Sequence, residues 1–182
     1  MSITELNSLL SQHNINLEQW SHEKGTKTTV ELQNEIESGE TTLETRLDRL
    51  YRVVKLVSVN VQVKLGEQLF TLVEDKQIFF TGAVRKRGLN SLSEKIMAGE
   101  TPELAVYRCL KEEIGLNNVT KPLINLGFTE EIKSSPSYPT LNSIYQVFNY
   151  QVVLDEDDLQ FIRFSEYQKN SQKITLFSLE LL

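Results

Sequence analysis

Glu100, Glu112 and Glu113 crowd the middle of the chain, with Arg108 and Cys109 between them. The last two glutamates fall on a helix predicted over about Pro102 to Ile114. Thr101 is a suitable N-cap, Pro102 fits the first helical position, where no amide hydrogen is required, and Gly115 is a stop signal. At about 100° per residue, Val106, Tyr107, Leu110 and Ile114 share one side and are expected to bury. Glu112 and Glu113 border the polar side, and Glu100 stands just ahead of the first turn. Carboxylates gathered around one turn and one helix repel each other unless a cation lies among them. Hard divalent ions such as Mg2+ or Mn2+ take oxygen ligands of this kind. The simpler alternative is a solvated acidic helix face.

The spacing favours the first alternative. The segment Glu94 to Leu116, EKIMAGETPELAVYRCLKEEIGL, resembles the Nudix box, whose pattern is Gly, five residues, Glu, seven residues, Arg-Glu-apolar-any-Glu-Glu-any-Gly-apolar. Glu100, Arg108, Leu110, Glu112, Glu113, Gly115 and Leu116 stand in register with it. The resemblance implies an α+β fold, with a mixed β-sheet sandwiched by helices in α/β/α layers. It implies hydrolysis of a nucleoside diphosphate derivative, with Mg2+ (or Mn2+) as cofactor. By the same resemblance Glu100, Glu112 and Glu113 are the metal ligands, and Glu112, Glu113 and Arg108 the catalytic residues.

Two positions depart from the pattern. Glu94 stands where the box has its leading Gly, and Cys109 replaces the first Glu of the Arg-Glu pair. In the family that Glu helps to hold the metal. A thiol is a soft ligand, poorly matched to Mg2+, and Cys109 reads as a small apolar packing residue. Activity is therefore expected to be weakened, unless Glu94 returns a carboxylate to the site. The alternative is a non-catalytic Nudix-fold module that binds a nucleotide or a protein partner.

The elements that position this segment follow from hydrophobic periodicity. Residues 1–50 read as a helical arm packed on a core domain of 51–182. Within the arm, helices are predicted at about 3 to 12, around Val30 to Ile36 with an end near Gly39, and from Thr41 or Thr42 through Leu50. Trp20, Ile15 and Leu17 are candidate anchors for a homodimer or protein partner; packing on the core is the competing use. From Val53 the period switches to two, and Val57 to Leu65 reads as a strand that turns at Gly66-Glu67 into Gln68 to Glu74. Ile78 to Phe80 is a short apolar piece, and Arg85-Lys86-Arg87-Gly88 a loop. Further strands are predicted at Pro122 to Glu131 and Ser143 to Leu154. Ile174 to Leu182 is expected to give a final strand and the start of a closing helix.

Other residues qualify as substrate contacts. Arg85 and Arg87, beside the acidic segment, could hold a phosphate, or simply balance the neighbouring acids. Tyr138, in a loop punctuated by Pro136 and Pro139, is a candidate base-stacking or lid residue, or else fills its own loop. The family sometimes takes another carboxylate from a loop after the long strand, which Glu156 or Glu166 could supply. His13 and His22 belong to no metal-binding cluster.

Composition narrows the partners. The chain has 182 residues, 40% hydrophobic and 24% charged, as expected of an ordinary globular protein. A net charge of −6 argues against a general nucleic-acid or anionic-membrane binder. The single cysteine allows no intrachain disulfide, and the start, MSITELNSLL, is unlike a secretory leader. The cytosol is the expected compartment. No Walker loop, GxGxxG fingerprint, nucleophile elbow or zinc-finger spacing is present.

Overall fold

The computed structural model describes residues Met1–Leu182. In chain order the elements are α1 (Ile3–Gln12), α2 (Thr29–Glu37), β1 (Thr42–Arg46), β2 (Arg49–Leu65), β3 (Gln68–Phe79), β4 (Val84–Leu89), β5 (Leu92–Lys95), α3 (Pro102–Ile114), β6 (Ile124–Ser134), β7 (Asn142–Leu154), β8 (Ser165–Gln168) and β9 (Lys173–Leu181). The class is α+β, with a mixed sheet whose strands run β6-β7-β2-β3-β9-β8; β1 and β5 also pair with β2, and β4 with β3. No helix is long and apolar enough to cross a membrane. The chain forms two compact units. The first comprises Met1–Leu56, Lys95–Glu100 and Phe128–Val147, and the second Val57–Glu94, Thr101–Gly127 and Phe148–Leu182.

In the first unit, α1 and α2 both begin with capping boxes, Ser2 with Glu5 and Thr28 with Glu31. Each box satisfies two backbone donors that the first turn would otherwise orphan. The helices bury Leu6, Leu10 and Leu32 against Trp20, Leu50, Tyr138 and Leu141. Trp20, a candidate partner anchor from the sequence, points inward: it is 6% exposed and its indole N–H donates to the Pro139 carbonyl at 2.8 Å. The helix predicted from Thr41 or Thr42 to Leu50 does not form. Arg46 pairs with Arg49 across a β1–β2 hairpin, and Leu47 and Asp48 make the turn with φ of 47° and 61°. Two positive φ values match the twist of a two-residue hairpin. Leu43, Leu47 and Leu50 are spaced for a helix, but Leu47 ends 97% exposed while Leu50 is buried. Cross-strand pairing outweighs local spacing here.

In the second unit, the alternation of β2 works as predicted: Val57, Val59, Val61 and Val63 are all buried. Three predicted boundaries move. Ile78 and Phe79 continue β3 beyond an irregularity between Glu74 and Lys76, rather than forming a separate piece. Arg85 to Gly88 lies within strand β4, paired to β3, and is not a loop. No closing helix starts at the chain's end; β9 remains a strand from Lys173 to Leu181, held by β3 from Phe70↔Leu181 to Phe79↔Lys173. That ladder also satisfies the facing backbone groups of β3, which a helix there would leave without strand partners.

Candidate functional site

Helix α3 forms as its end signals predict. The Thr101 hydroxyl accepts the Leu104 N–H, and Pro102 opens the helix. At the other end Gly115, with φ of 75°, donates to the Lys111 carbonyl while Leu116 donates to that of Leu110. The Gly115 bond is that of the αL cap, which closes a helix on a left-handed residue. Arg163 adds a second clasp. Its backbone N–H donates to the Ile114 carbonyl at 2.7 Å, and its guanidinium to the Glu112 carbonyl at 3.1 Å. Nothing in the sequence pairs Arg163 with this helix; only tertiary folding brings them together.

The buried side of α3 is Ala105, Val106, Cys109, Leu110 and Ile114. Tyr107, expected inside, is 42% exposed. The buried arc is rotated from the predicted one, because Ala105 and Cys109 fit inside where a tyrosine would not. On the same wheel Glu113 falls between Cys109 and Val106, at about the middle of that arc, whereas Glu112 lies at its rim. Adjacent glutamates therefore meet different surroundings. Glu112 is half exposed and pairs with Arg108 at 3.6 Å. Glu113 is largely enclosed, and its carboxyl is pushed up to about 8. Burial contributes most, followed by the charge of Glu166, then by Glu94 and by a hydrogen bond with Glu166.

A small polar cavity of about 140 Å³ opens beside Glu113. Glu166, Glu74, Gln168, Arg87 and Lys173 share its wall. Glu166 and Gln168 come from β8, which packs beside α3. Of the two carboxylates that the resemblance offered after the long strand, Glu166 is therefore the one brought to Glu113. Arg87 reaches Glu74 at 3.4 Å and lies at the cavity, whereas Arg85 is exposed on β4. Glu94, in strand β5 at the start of the box, pairs with Arg108 at 3.3 Å. It returns a carboxylate to the Arg108 side chain, which is held between Glu94 and Glu112.

Cys109 is fully buried. Burial pushes its thiol far up, with the charges of Glu113 and Glu94 adding to the effect. A neutral, enclosed thiol supplies neither a base nor a hard ligand. The donor type around Glu113 suits a hard divalent cation, since every acid there offers oxygen. However, no three His, Cys, Asp or Glu side chains are grouped as a ready-made metal cage.

The remaining predicted residues lie in the first unit. Glu100 accepts the Met97 N–H at 2.9 Å and lines a cleft of about 300 Å³ with Gly39, Glu40 and Lys55. Gly39 is obligatory there: its φ is 76°, and an added Cβ would come within 2.4 Å of the Ala98 side chain. Tyr138 is not a lid or a stacking platform. It is fully buried, its hydroxyl donates to Glu35 at 3.1 Å, and its ring packs 4.9 Å from that of Trp20. Glu35 also receives the Arg52 guanidinium at 2.7 Å and the Lys27 ammonium. Tyr138 thus fills and ties the core of that unit.

No family model and no curated protein matches the sequence. Among solved structures, the NUDIX domain of Shewanella oneidensis NrtR, in complex with ADP ribose, is similar over 70% of this chain and 71% of its own, at 14% identity and a TM-score of 0.45. A mutT/nudix family protein from Listeria innocua is similar over 70% of this chain and 77% of its own, at 14% identity and a TM-score of 0.42. A C. elegans Ap4A hydrolase is similar over 70% of this chain and 79% of its own, at 13% identity and a TM-score of 0.39.

Proposed function

We propose that the chain is a Nudix-like hydrolase of weakened activity, which cleaves a nucleoside diphosphate derivative with Mg2+ or Mn2+. The observation that carries this reading is Glu113. A carboxyl held in the middle of a buried helix face, beside Glu166, Glu94 and Glu74, is costly as a structural choice. Such crowding is the usual signature of a site built for a cation or a proton.

On this reading Glu112 and Glu113 would hold the ion, as the resemblance to the box implies. When bound, it would neutralise phosphate charge and lower the pKa of the attacking water. Arg108 orients Glu94 and Glu112, and Arg87, with Arg85 beyond it on β4, would meet the diphosphate. Cys109, neutral where the box has a carboxylate, leaves the site one acid short. Loss of one acid/base group costs about 10²–10⁴-fold in rate, so slow turnover is expected.

The buried thiol also favours a second reading, a non-catalytic module that binds a nucleotide or a protein. Incubation with a panel of nucleoside diphosphate derivatives and Mg2+ or Mn2+ separates the two. Turnover lost in Glu112→Gln and Glu113→Gln supports the hydrolase. Metal-independent binding without turnover supports the module. Cys109→Glu sharpens the test, because it adds a carboxylate beside Glu113 and Glu94. Without metal it should destabilise the fold by about 1–3 kcal/mol or more. With Mn2+ it should regain stability and exceed the natural sequence in rate. A variant indifferent to metal in both respects would remove the metal from the proposal.

A further inference from the structure

The four-stranded part of the sheet formed by β4, β3, β9 and β8 has two unlike faces. One carries the polar row Arg85, Gln77, Thr175 and Glu166 and lines the cavity beside Glu113. The other is read from the ladder registers, since residues directly opposite each other across antiparallel strands project to the same side. Val84 opposes Ile78, Ile78 opposes Ile174, and Ile174 opposes Tyr167. One apolar row therefore crosses all four strands. Phe80 extends it, stacked 5.8 Å from the Tyr167 ring.

The outer members of this row are open to solvent, while Ile78 and Ile174 are half-buried. Val84 is 58%, Phe80 54% and Tyr167 62% exposed. Scattered surface apolar residues need no explanation, but a contiguous row with two stacked aromatics marks an interaction surface. Its charge identifies the partner. Lys76 and Lys86 oppose each other directly on the same face, next to Ile78 and Val84. Like charges so placed destabilise a sheet. Lys76 shares its charge with Asp75 at 3.5 Å, but the cross-strand neighbour of Lys86 is another lysine. A partner bringing carboxylates to this pair would relieve the repulsion while covering the apolar row.

We propose that this face is a docking surface for an acidic protein segment bearing aromatic or aliphatic side chains. Two other occupants fit less well. A second copy docked through the same face would set Lys76 and Lys86 against themselves about the two-fold axis. An anionic membrane is held by clusters of about 4–8 basic residues, and this face offers only the Lys76–Lys86 pair. The proposal uses the face opposite Glu113 and is independent of the hydrolase reading.

A random 16-mer peptide library displayed on phage, selected against the full chain, tests it. Enriched peptides should combine Asp or Glu with aromatic or aliphatic residues and shift the NMR signals of Val84, Ile174 and Tyr167. Their affinity should fall at least 10-fold in Lys86→Glu and in Val84→Asp, with both variants folded by circular dichroism. High salt should weaken binding. No enrichment, a basic or neutral consensus, or shifts mapping elsewhere would overturn the proposal. So would a dimer that Val84→Asp dissociates, or binding of phosphatidylserine vesicles without peptide binding.

Discussion

Glu35 on α2 and Glu113 on α3 are both enclosed helix glutamates, and burial drives the carboxyl of each upward. For Glu35 the Lys27 hydrogen bond and the Arg52 charge outweigh burial, so its carboxyl sits below the ordinary range. Glu113 has Glu166, Glu94 and Glu74 around it, so its strongest neighbouring influences push the same way as burial. Enclosure alone thus does not decide a glutamate's state; the charges that folding brings to it do. The first arrangement is complete without a ligand. The second holds its carboxyl above the ordinary range.

The largest expected effect is on the completed side. Glu35→Ala leaves Arg52, itself 6% exposed, with no counter-charge and deprives the Tyr138 hydroxyl of its acceptor. Removing one partner of a buried pair costs about 3–5 kcal/mol. For a chain of this size that lowers the melting temperature by roughly 6–20 °C. Scanning calorimetry at neutral pH checks it, and an unchanged transition would mean that the network is ornamental.

Glu113→Gln should do the reverse. The Glu113 carboxyl, at about 8 when folded, binds its proton more tightly than in the unfolded chain. Its contribution to stability is therefore fully present below the ordinary carboxyl range and lost as pH rises through about 8. Glutamine cannot ionise, so the variant should match the natural sequence at pH 5 and become more stable than it above pH 8. The difference should reach a few kcal/mol at most. Paired unfolding curves from pH 5 to pH 9 reveal the divergence. If Mn2+ closes the gap by stabilising the natural sequence alone, a cation and a proton compete for the same carboxyl.

Legibility in the sequence followed the range of each interaction. The start and stop of α3 and the burial of Cys109 depend on residues within a few positions, and all were readable. The two acids of the helix were readable in register, but their separation into rim and interior depended on the turn of the buried arc. The β1–β2 hairpin was not readable, because helical spacing of Leu43, Leu47 and Leu50 competes with a strand pairing that only β2 can supply. Arg163 and Glu74 were invisible as contributors, since distant segments deliver them to α3 and its cavity. Tyr138 was legible as important, but its role turned on Glu35, far away in sequence.

The smallest expected effects come from the two ends of α3, and they separate holding the helix from holding the acid. Thr101→Ala removes the N-cap and should cost about 1 kcal/mol. The cap lies three turns from Glu113, so the pH-dependent difference between the natural sequence and Glu113→Gln should persist unchanged on the Thr101→Ala background. Arg163→Ala should cost a similar amount by taking the guanidinium from the Glu112 and Lys111 carbonyls at the last turn, while the backbone bond to Ile114 remains. That turn carries Glu113 itself, so fraying there admits water to the carboxyl and relaxes its burial. The same double comparison on the Arg163→Ala background should therefore show a smaller pH-dependent gap. Equal gaps on both backgrounds would mean that Glu113 is held by β8 and its neighbours rather than by the clasped helix end.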